Sequence, residues 1–383
     1  MMREIQRDEL EPLATGAWIL GAGGGGNPYL SYVNLLALYD GGARVSLMDP
    51  KDLADDDLVA MVAGIGAPLV GQERLPDPKV VARPLLALQD HLKRSFRAVM
   101  SGEIGGANGL RALIAGAVTG LPAVDADSMG RAFPEGQMTS FAIAGLPMLT
   151  TVLSDVRGIE VIIKRAADAR WMERLCRKAC AEMGSVASAC RAPRSGREVK
   201  DHGILYSTSK AIRIGRVVGE ARRRREDAVA ALIEAEQGAL LFKGKVQDVE
   251  RRTTEGFLRG TARLAGLDGD RGSMLSLGFQ NEYAAAWRDG EVVATTPDII
   301  CTMDSESGEA VGTEMLRYGQ RISVIALPAP ELFLTPNGLA TVGPRAFGYD
   351  FDYRHPVTPS ATRGLKAAGK VPRYGWRGKL RAG

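Results

Sequence analysis

FRAVMSGEIGGANGLRALIAGAVTGLPAVDADSMGRAFPE, residues 96–135, decides the fold. Phe96 to Ser101 is a short apolar run with strand character, Asn108 to Thr119 has helical periodicity and stops at Gly120, and Leu121 to Ala126 is a second strand. Strand, helix and strand within about thirty residues make a crossover, so the two strands are expected to lie parallel and adjacent. The acids sit at the strand ends: Glu103 follows the first, while Asp125 and Asp127 end the second. Ligands of open α/β sheets bind outside the carboxyl ends of the strands, which places these carboxylates on a functional rim.

Towards the N-terminus, Asp8 to Leu20 reads as a helix capped by Asp8, with Leu10, Leu13, Ala14, Ala17 and Trp18 at helical spacing. The loop GAGGGGNP follows, and Pro28 opens a helix over Tyr29 to Tyr39 that Gly41 and Gly42 stop. Arg44 to Met48 and Leu58 to Gly64 read as short buried strands. Towards the C-terminus, TTVLSD and GIEVIIK read as strands and Asp168 to Met183 as an amphipathic helix. Ala192 to Gly203 reads as a polar loop or inter-domain crossing, and Tyr206 to Gln237 as one long Arg-rich helical segment. From Ala239 to about Pro344 the texture changes to short β-rich runs punctuated by turns, which predicts an antiparallel barrel or sandwich. The expected fold is therefore an α/β N-terminal domain with a partly parallel sheet, plus a C-terminal β-rich, barrel-like domain. Its divisions are 1–168, a helical connecting region 169–237, the β-rich domain 238–362 and a basic surface tail 363–383.

Composition excludes several classes of function. The chain has 49 basic and 45 acidic residues among 383, and a net charge of +4 is too dilute to imply a nucleic-acid partner. The run Arg222 to Arg225 and the basic tail lack the interleaved aromatics that stack on bases. No stretch approaches the ~20 apolar residues of a membrane span, and acids in MMREIQRDELEP stand where a secretion signal would be apolar. A cytoplasmic location is expected, with no membrane partner. Four cysteines make no disulfide framework, in keeping with a reducing compartment.

Glycine, at 46 residues, is well above its usual ~7% share and is concentrated in loops. Gly21 to Gly26 satisfies G-x-G-x-x-G and precedes a helix, but the segment leading in reads as a helix where the dinucleotide fingerprint needs a strand. No nicotinamide or flavin is expected. Gly23, Gly24, Gly25, Gly26 and Asn27 are instead candidates for close approach to a small anion or polar ring, against the plainer reading of a tight turn. In SGEIGGANG, Glu103 is a candidate metal ligand or general base and Asn108 a candidate substrate contact; a helix cap or ion pair is the alternative for Glu103. Asp125, Asp127, Arg131 and Glu135 fall within eleven residues, and Arg131 could hold a substrate carboxylate in a bidentate grip. A structural ion-pair cluster would look similar.

The histidines are His91, His202 and His355, none with zinc-protease spacing, and His202 in the polar crossing is the ligand candidate. Cys176, Cys180, Cys190 and His202 formally supply four zinc ligands, but the apolar face with Trp171 and Leu175 favours buried thiols.

LGAGGGGNPY, SGEIGGANGL, LPAVDADSMGRAFPEGQM, GFQNEYAAAW, PDIICTMDSESGEAVGTEMLRYGQRISVIALP and GLATVGPRAFGYD together resemble the S-methyl-thiohydantoin desulfurase-like family, in order over most of the chain. One departure is Ser207-Thr208-Ser209, where the family pattern has a Gly-Thr pair. The resemblance implies an α/β domain followed by a β-rich barrel-like domain. It also implies hydantoin-type ring metabolism, including removal of sulfur from thiohydantoins, in the company of hydantoinase and oxoprolinase enzymes.

The expectation drawn from residues and resemblance is a metal-assisted hydrolase of a cyclic amide or thioamide, giving a hydantoin. Glu103, Asp125 or alternatively Asp127, and His202 would hold a divalent ion, zinc or manganese, that activates a water. Asp127 or Glu135 would shuttle the proton, and Arg131 or the glycine loop would hold the substrate's anionic end. Asp125→Asn is expected to abolish turnover without unfolding. Whether Asn281, Glu282 or Asp298 of the β-rich domain reach the site is left open. The rivals are a non-catalytic accessory subunit of a hydantoinase/oxoprolinase system and a nucleotide-dependent enzyme using the first glycine loop. A homo-oligomer is expected.

Overall fold

The structure, a computed structural model, describes residues 2–67, 70–71, 77–254 and 256–356. The predicted crossover is present. Strand β4 (Ala98–Ser101) leads through a 3-10 turn, Gly106–Leu110, into the helix Arg111–Thr119. That helix ends at Gly120, whose φ of 78° is the left-handed conformation favoured at a helix C-terminus. The chain returns as β5 (Ala123–Val124), parallel to β4. Two further parallel neighbours, β2 (Ser46–Met48) and β3 (Leu58–Gly66), complete the centre of an eight-stranded sheet. Its order is β1-β2-β5-β4-β3-β9-β7-β8, and both edges are antiparallel. Here β1 is Met2–Glu4, β7 Thr151–Ser154, β8 Glu160–Ile163 and β9 Val186–Ser195, while β6 (Ala126–Asp127) and β10 (Ile204–Leu205) form a separate antiparallel pair.

Three expectations need correction. The first helix begins at Leu10 after the 3-10 turn Arg7–Glu9, and it is that turn which a reciprocal Gln6–Glu9 box caps, leaving Asp8 without the capping role. The polar crossing contains no loop of the expected length: β9 runs to Ser195 and pairs antiparallel with β3, and the helix Gly196–His202 follows, capped by Ser195 and Glu198. The region assigned to inter-domain connection thus supplies a strand of the first sheet. The long helical segment is two helices, Ser207–Arg224 and Ala228–Glu236. They are divided by Arg225 at φ 59° and recapped by Asp227, which accepts from the Val229 and Ala230 amides.

The C-terminal unit is a seven-stranded antiparallel sheet forming a half-barrel, in the order β15-β14-β13-β12-β11-β17-β16. Its strands are β11 (Ala239–Thr254), β12 (Phe257–Gly266), β13 (Met274–Gln280), β14 (Glu282–Arg288), β15 (Glu291–Thr295), β16 (Ile299–Asp304) and β17 (Arg321–Leu327). One apolar core joins both units: helix residues Leu13, Ala17, Ile212, Val218 and Leu232 pack with Ile299, Met303, Ile325 and Leu327. That shared core sets the two domains at a fixed offset, and the loops at their junction meet. The basic tail, residues 363–383, lies outside the described residues. Among the described residues no helix is long and apolar enough to cross a membrane.

Candidate active site

The two glycine-rich loops hold each other. The Ala107 amide donates to the carbonyls of Gly25 and Gly26, at 3.1 and 2.9 Å. The first loop also docks on the half-barrel, its Ala22 carbonyl accepting from the Tyr283 amide and its Gly23 carbonyl from the Thr313 amide, both at 2.8 Å. Around this junction lies a cavity of about 260 Å³, at the small end of ligand pockets. Glu103, Asn108, Arg111, Glu135 and Arg191 of the α/β unit line it, and Asn281 and Glu282 reach it from the half-barrel.

Glu103 is held at both oxygens. Asn108 Nδ2 donates to Oε1, and the Phe133 amide donates to Oε2 at 3.2 Å. Its backbone is pinned on either side, by Ser128 Oγ on the Gly102 carbonyl and by the Ile104 amide on Asp127 Oδ2 at 2.8 Å. Burial pushes its carboxyl up to about 7, against the pull of those donors and of Arg191. Glu282, 2% exposed, accepts from the Gly25 amide at Oε1 (3.2 Å), while Oε2 is buried with no partner among the described residues. Burial first, and then the charge of Glu103, raise this carboxyl well above the ordinary range. The opposing influence is Arg131, whose own guanidinium burial brings down to about 10. The two carboxyls line one cavity and both are raised, Glu103 to about 7, an arrangement that can divide acid and base roles.

The remaining candidates take other places. Asp127, fully buried, is a positioning residue: Oδ2 accepts from the amides of Ile104, Met129 and Gly130, at 2.8, 3.0 and 2.8 Å. Arg131 does not line the cavity but spans the domains, donating from Nη1 to the carbonyls of Pro297 (2.8 Å) and Asp298 (2.7 Å). Glu135 does line it and accepts from Gln137 and Gln280. Asp298 is tied to the Ala329 amide and the Tyr353 hydroxyl and stays outside the cavity wall. Gly25, Gly26 and Asn27 line the cavity, whereas Gly23 and Gly24 lie against Tyr283 and Glu282. Asn27 spends its side-chain oxygen on the Tyr29 amide at 2.8 Å.

A metal held by Glu103, Asp125 and His202 does not fit this arrangement. Both Asp125 oxygens are taken by Ser209, Oδ1 by its amide at 3.0 Å and Oδ2 by its hydroxyl, which fastens the strand end to the Ser207–Arg224 helix. His202 ends the Gly196–His202 helix and does not line the cavity. Among the described residues no group of three or more His, Cys, Asp or Glu side chains is arranged to hold an ion, and the four cysteines are buried and form no disulfide. With both oxygens engaged by Ser209, Asp125→Asn is expected to lower stability by about 1–3 kcal/mol while folded molecules keep their turnover. Denaturant unfolding together with the rate per folded molecule checks this. Lost turnover at unchanged stability would return Asp125 to the site.

Sequence reasoning did not single out Arg111, Arg177 or Arg191, and left Glu282 open. Arg111 looks like an ordinary first-turn cation, and nothing local announces that its helix start faces a cavity. The inclusion of GFQNEY among the resembling segments was the one available sign for Glu282.

Two domains meeting over a carboxylate-lined cavity, one domain α/β and the other an antiparallel half-barrel, define the class of protein. The N-terminal domain of S-Me-THD-like proteins matches residues 8–165 and their C-terminal domain residues 167–356, so the chain belongs to the S-Me-THD-like family. The fold is similar to the crystal structure of a protein from Chromobacterium violaceum, with a TM-score of 0.77 at 24% identity over 92% of this chain and 99% of that one. No curated protein matches the chain at a significant level.

Proposed function

We propose that this chain is a hydrolase that replaces the sulfur of a thiohydantoin-type ring by oxygen, using Glu103 as base and Glu282 as acid. The observation that carries the reading is the pair itself: two carboxyls from different domains, Glu103 partly buried and Glu282 buried, share one small cavity, one raised to about 7 and the other well above its ordinary range. Family membership supplies the ring class.

Ionised Glu103 takes a proton from water as the water oxygen bonds to the ring carbon bearing sulfur. The C=S electron pair moves onto sulfur, and Glu282 protonates it. The new hydroxyl returns its proton to Glu282 as the C=O bond forms and the C–S bond breaks. Hydrosulfide then leaves with the proton held on Glu103, so water and thiocarbonyl become carbonyl and hydrogen sulfide. In an S-alkylated ring the carbon bearing sulfur is doubly bonded to a ring nitrogen, so water addition puts the electron pair on that nitrogen, where Glu282 protonates it; the hydroxyl then returns its proton to Glu282 as C=O forms, and the thiolate leaves with the proton held on Glu103. Desolvation in the cavity strengthens both proton transfers.

The test is sulfide release from a 2-thiohydantoin in 18O-labelled water. Stoichiometric sulfide with one 18O atom in the hydantoin is expected. Absence of turnover over a panel of thiohydantoins, with stable capture of a hydantoinase or oxoprolinase, would favour an accessory subunit.

A further inference from the structure

Arg111 occupies an unusual seat. It opens the helix that follows the Glu103 loop, lines the cavity, and crosses the facing pair Gly64 and Ser188 on strands β3 and β9. Its Nη1 donates to Ser188 Oγ at 3.2 Å, and its buried Nε has no partner among the described residues. A Cβ on Gly64 would come within 2.6 Å of Arg111 Nη2 and 2.9 Å of Nε, so the strand gives up a side chain where the guanidinium lies. The neighbouring cations differ. Arg177 and Arg191 share the buried carboxylate of Glu173, at 2.7 and 3.5 Å. Among the described residues Arg111 forms no ion pair. The nearby acid, Glu103, has both oxygens engaged by Asn108 and Phe133. Burial lowers Arg111 to about 10, which still leaves it charged at neutral pH.

A partly buried guanidinium whose Nε is buried without a partner and which forms no ion pair among the described residues is costly unless a ligand supplies the missing charge. Its planar fork suits the two oxygens of a carboxylate. We propose that Arg111 is the anion subsite of this cavity, receiving a carboxylate substituent of the ring substrate while the ring lies towards Glu103 and Glu282. This rests on the ring reading above and narrows it to acidic rings. It also moves the anion-holding role from Arg131, whose donors are spent on backbone carbonyls, to Arg111.

The test compares binding of 5-(carboxymethyl)hydantoin, its neutral 5-(carbamoylmethyl) analogue and glutarate by calorimetry. The wild-type chain is expected to bind the acid at least about tenfold more tightly than the amide. Arg111→Met is expected to erase that preference. Gly64→Ala, which pushes the guanidinium aside while keeping its charge, is expected to shrink it and serves if the first variant does not fold. Equal binding of acid and amide by the wild type, or a preference that survives in Arg111→Met, overturns the proposal. If neither hydantoin binds, the ring reading fails separately; glutarate binding that depends on Arg111 would then uphold the anion subsite, and no glutarate binding would overturn it. A drop in turnover shared by acid and amide substrates, with binding unchanged, would assign Arg111 to the departing sulfur and contradict the carboxylate.

Discussion

Glu103→Gln is expected to cut the rate of sulfide release by about 10²–10⁴-fold, the usual contribution of a positioned general base. The substitution preserves shape, so the loss reports the proton-accepting oxygen. It carries a second, independent signature in stability. The folded-state value of about 7 lies above the ordinary 4.5, so the folded chain binds the proton more tightly than the unfolded chain does. The stabilisation this provides is complete below the unfolded value and is lost as pH rises through about 7. Glutamine does not titrate and escapes that loss. Between about pH 4 and pH 8 the stability difference should therefore move in favour of the variant, by up to roughly 3 kcal/mol. Urea midpoints across that range measure it. A difference that stays flat with pH would mean that the Glu103 carboxyl is not raised.

Gly24→Ala is expected to suppress the proposed sulfide release nearly as fully as Glu282→Gln. A Cβ at residue 24 would fall 2.0 Å from Glu282 Oε1 and 2.5 Å from its Cδ, so the carboxyl must leave its seat and its bond from the Gly25 amide. The backbone of Gly24 is not in the left-handed region, so alanine is excluded by the glutamate and not by strain. The overpacking should cost about 1–3 kcal/mol of stability. Because both substitutions disable one group, the double variant should be no slower than Glu282→Gln alone. Rates of the four forms make the cycle. Additive losses would show that Gly24 acts on turnover by a route other than Glu282.

How much of this was legible depended on where each residue finds its partner. The crossover was readable because its signals are local: a helical period, a left-handed glycine stop and two short apolar strands. Strand β9 was hidden because Arg191 and Arg194 interrupt its apolar pattern, and their partners, Glu173 and the Pro147 carbonyl, come from elsewhere in the chain. The break between the two helices had a local sign in Asp227, which the apolar periodicity running through it obscured. In the site, the strand-end rule located Glu103. It also promoted Asp125, because two carboxylates two residues apart diverge: Asp127 turns back to the Glu103 loop, and Asp125 fastens a helix. Glu282 and the seat of Arg111 are products of tertiary packing. One depends on domain docking, the other on a glycine 47 positions earlier that leaves space for the guanidinium.

The central claim is that a raised Glu103 carboxyl drives turnover, and the pH dependence of kcat/KM for sulfide release tests it most directly. A rising limb with an apparent pKa near 7 is expected in the wild type and absent from the residual activity of Glu103→Gln. The same limb in both proteins would contradict it.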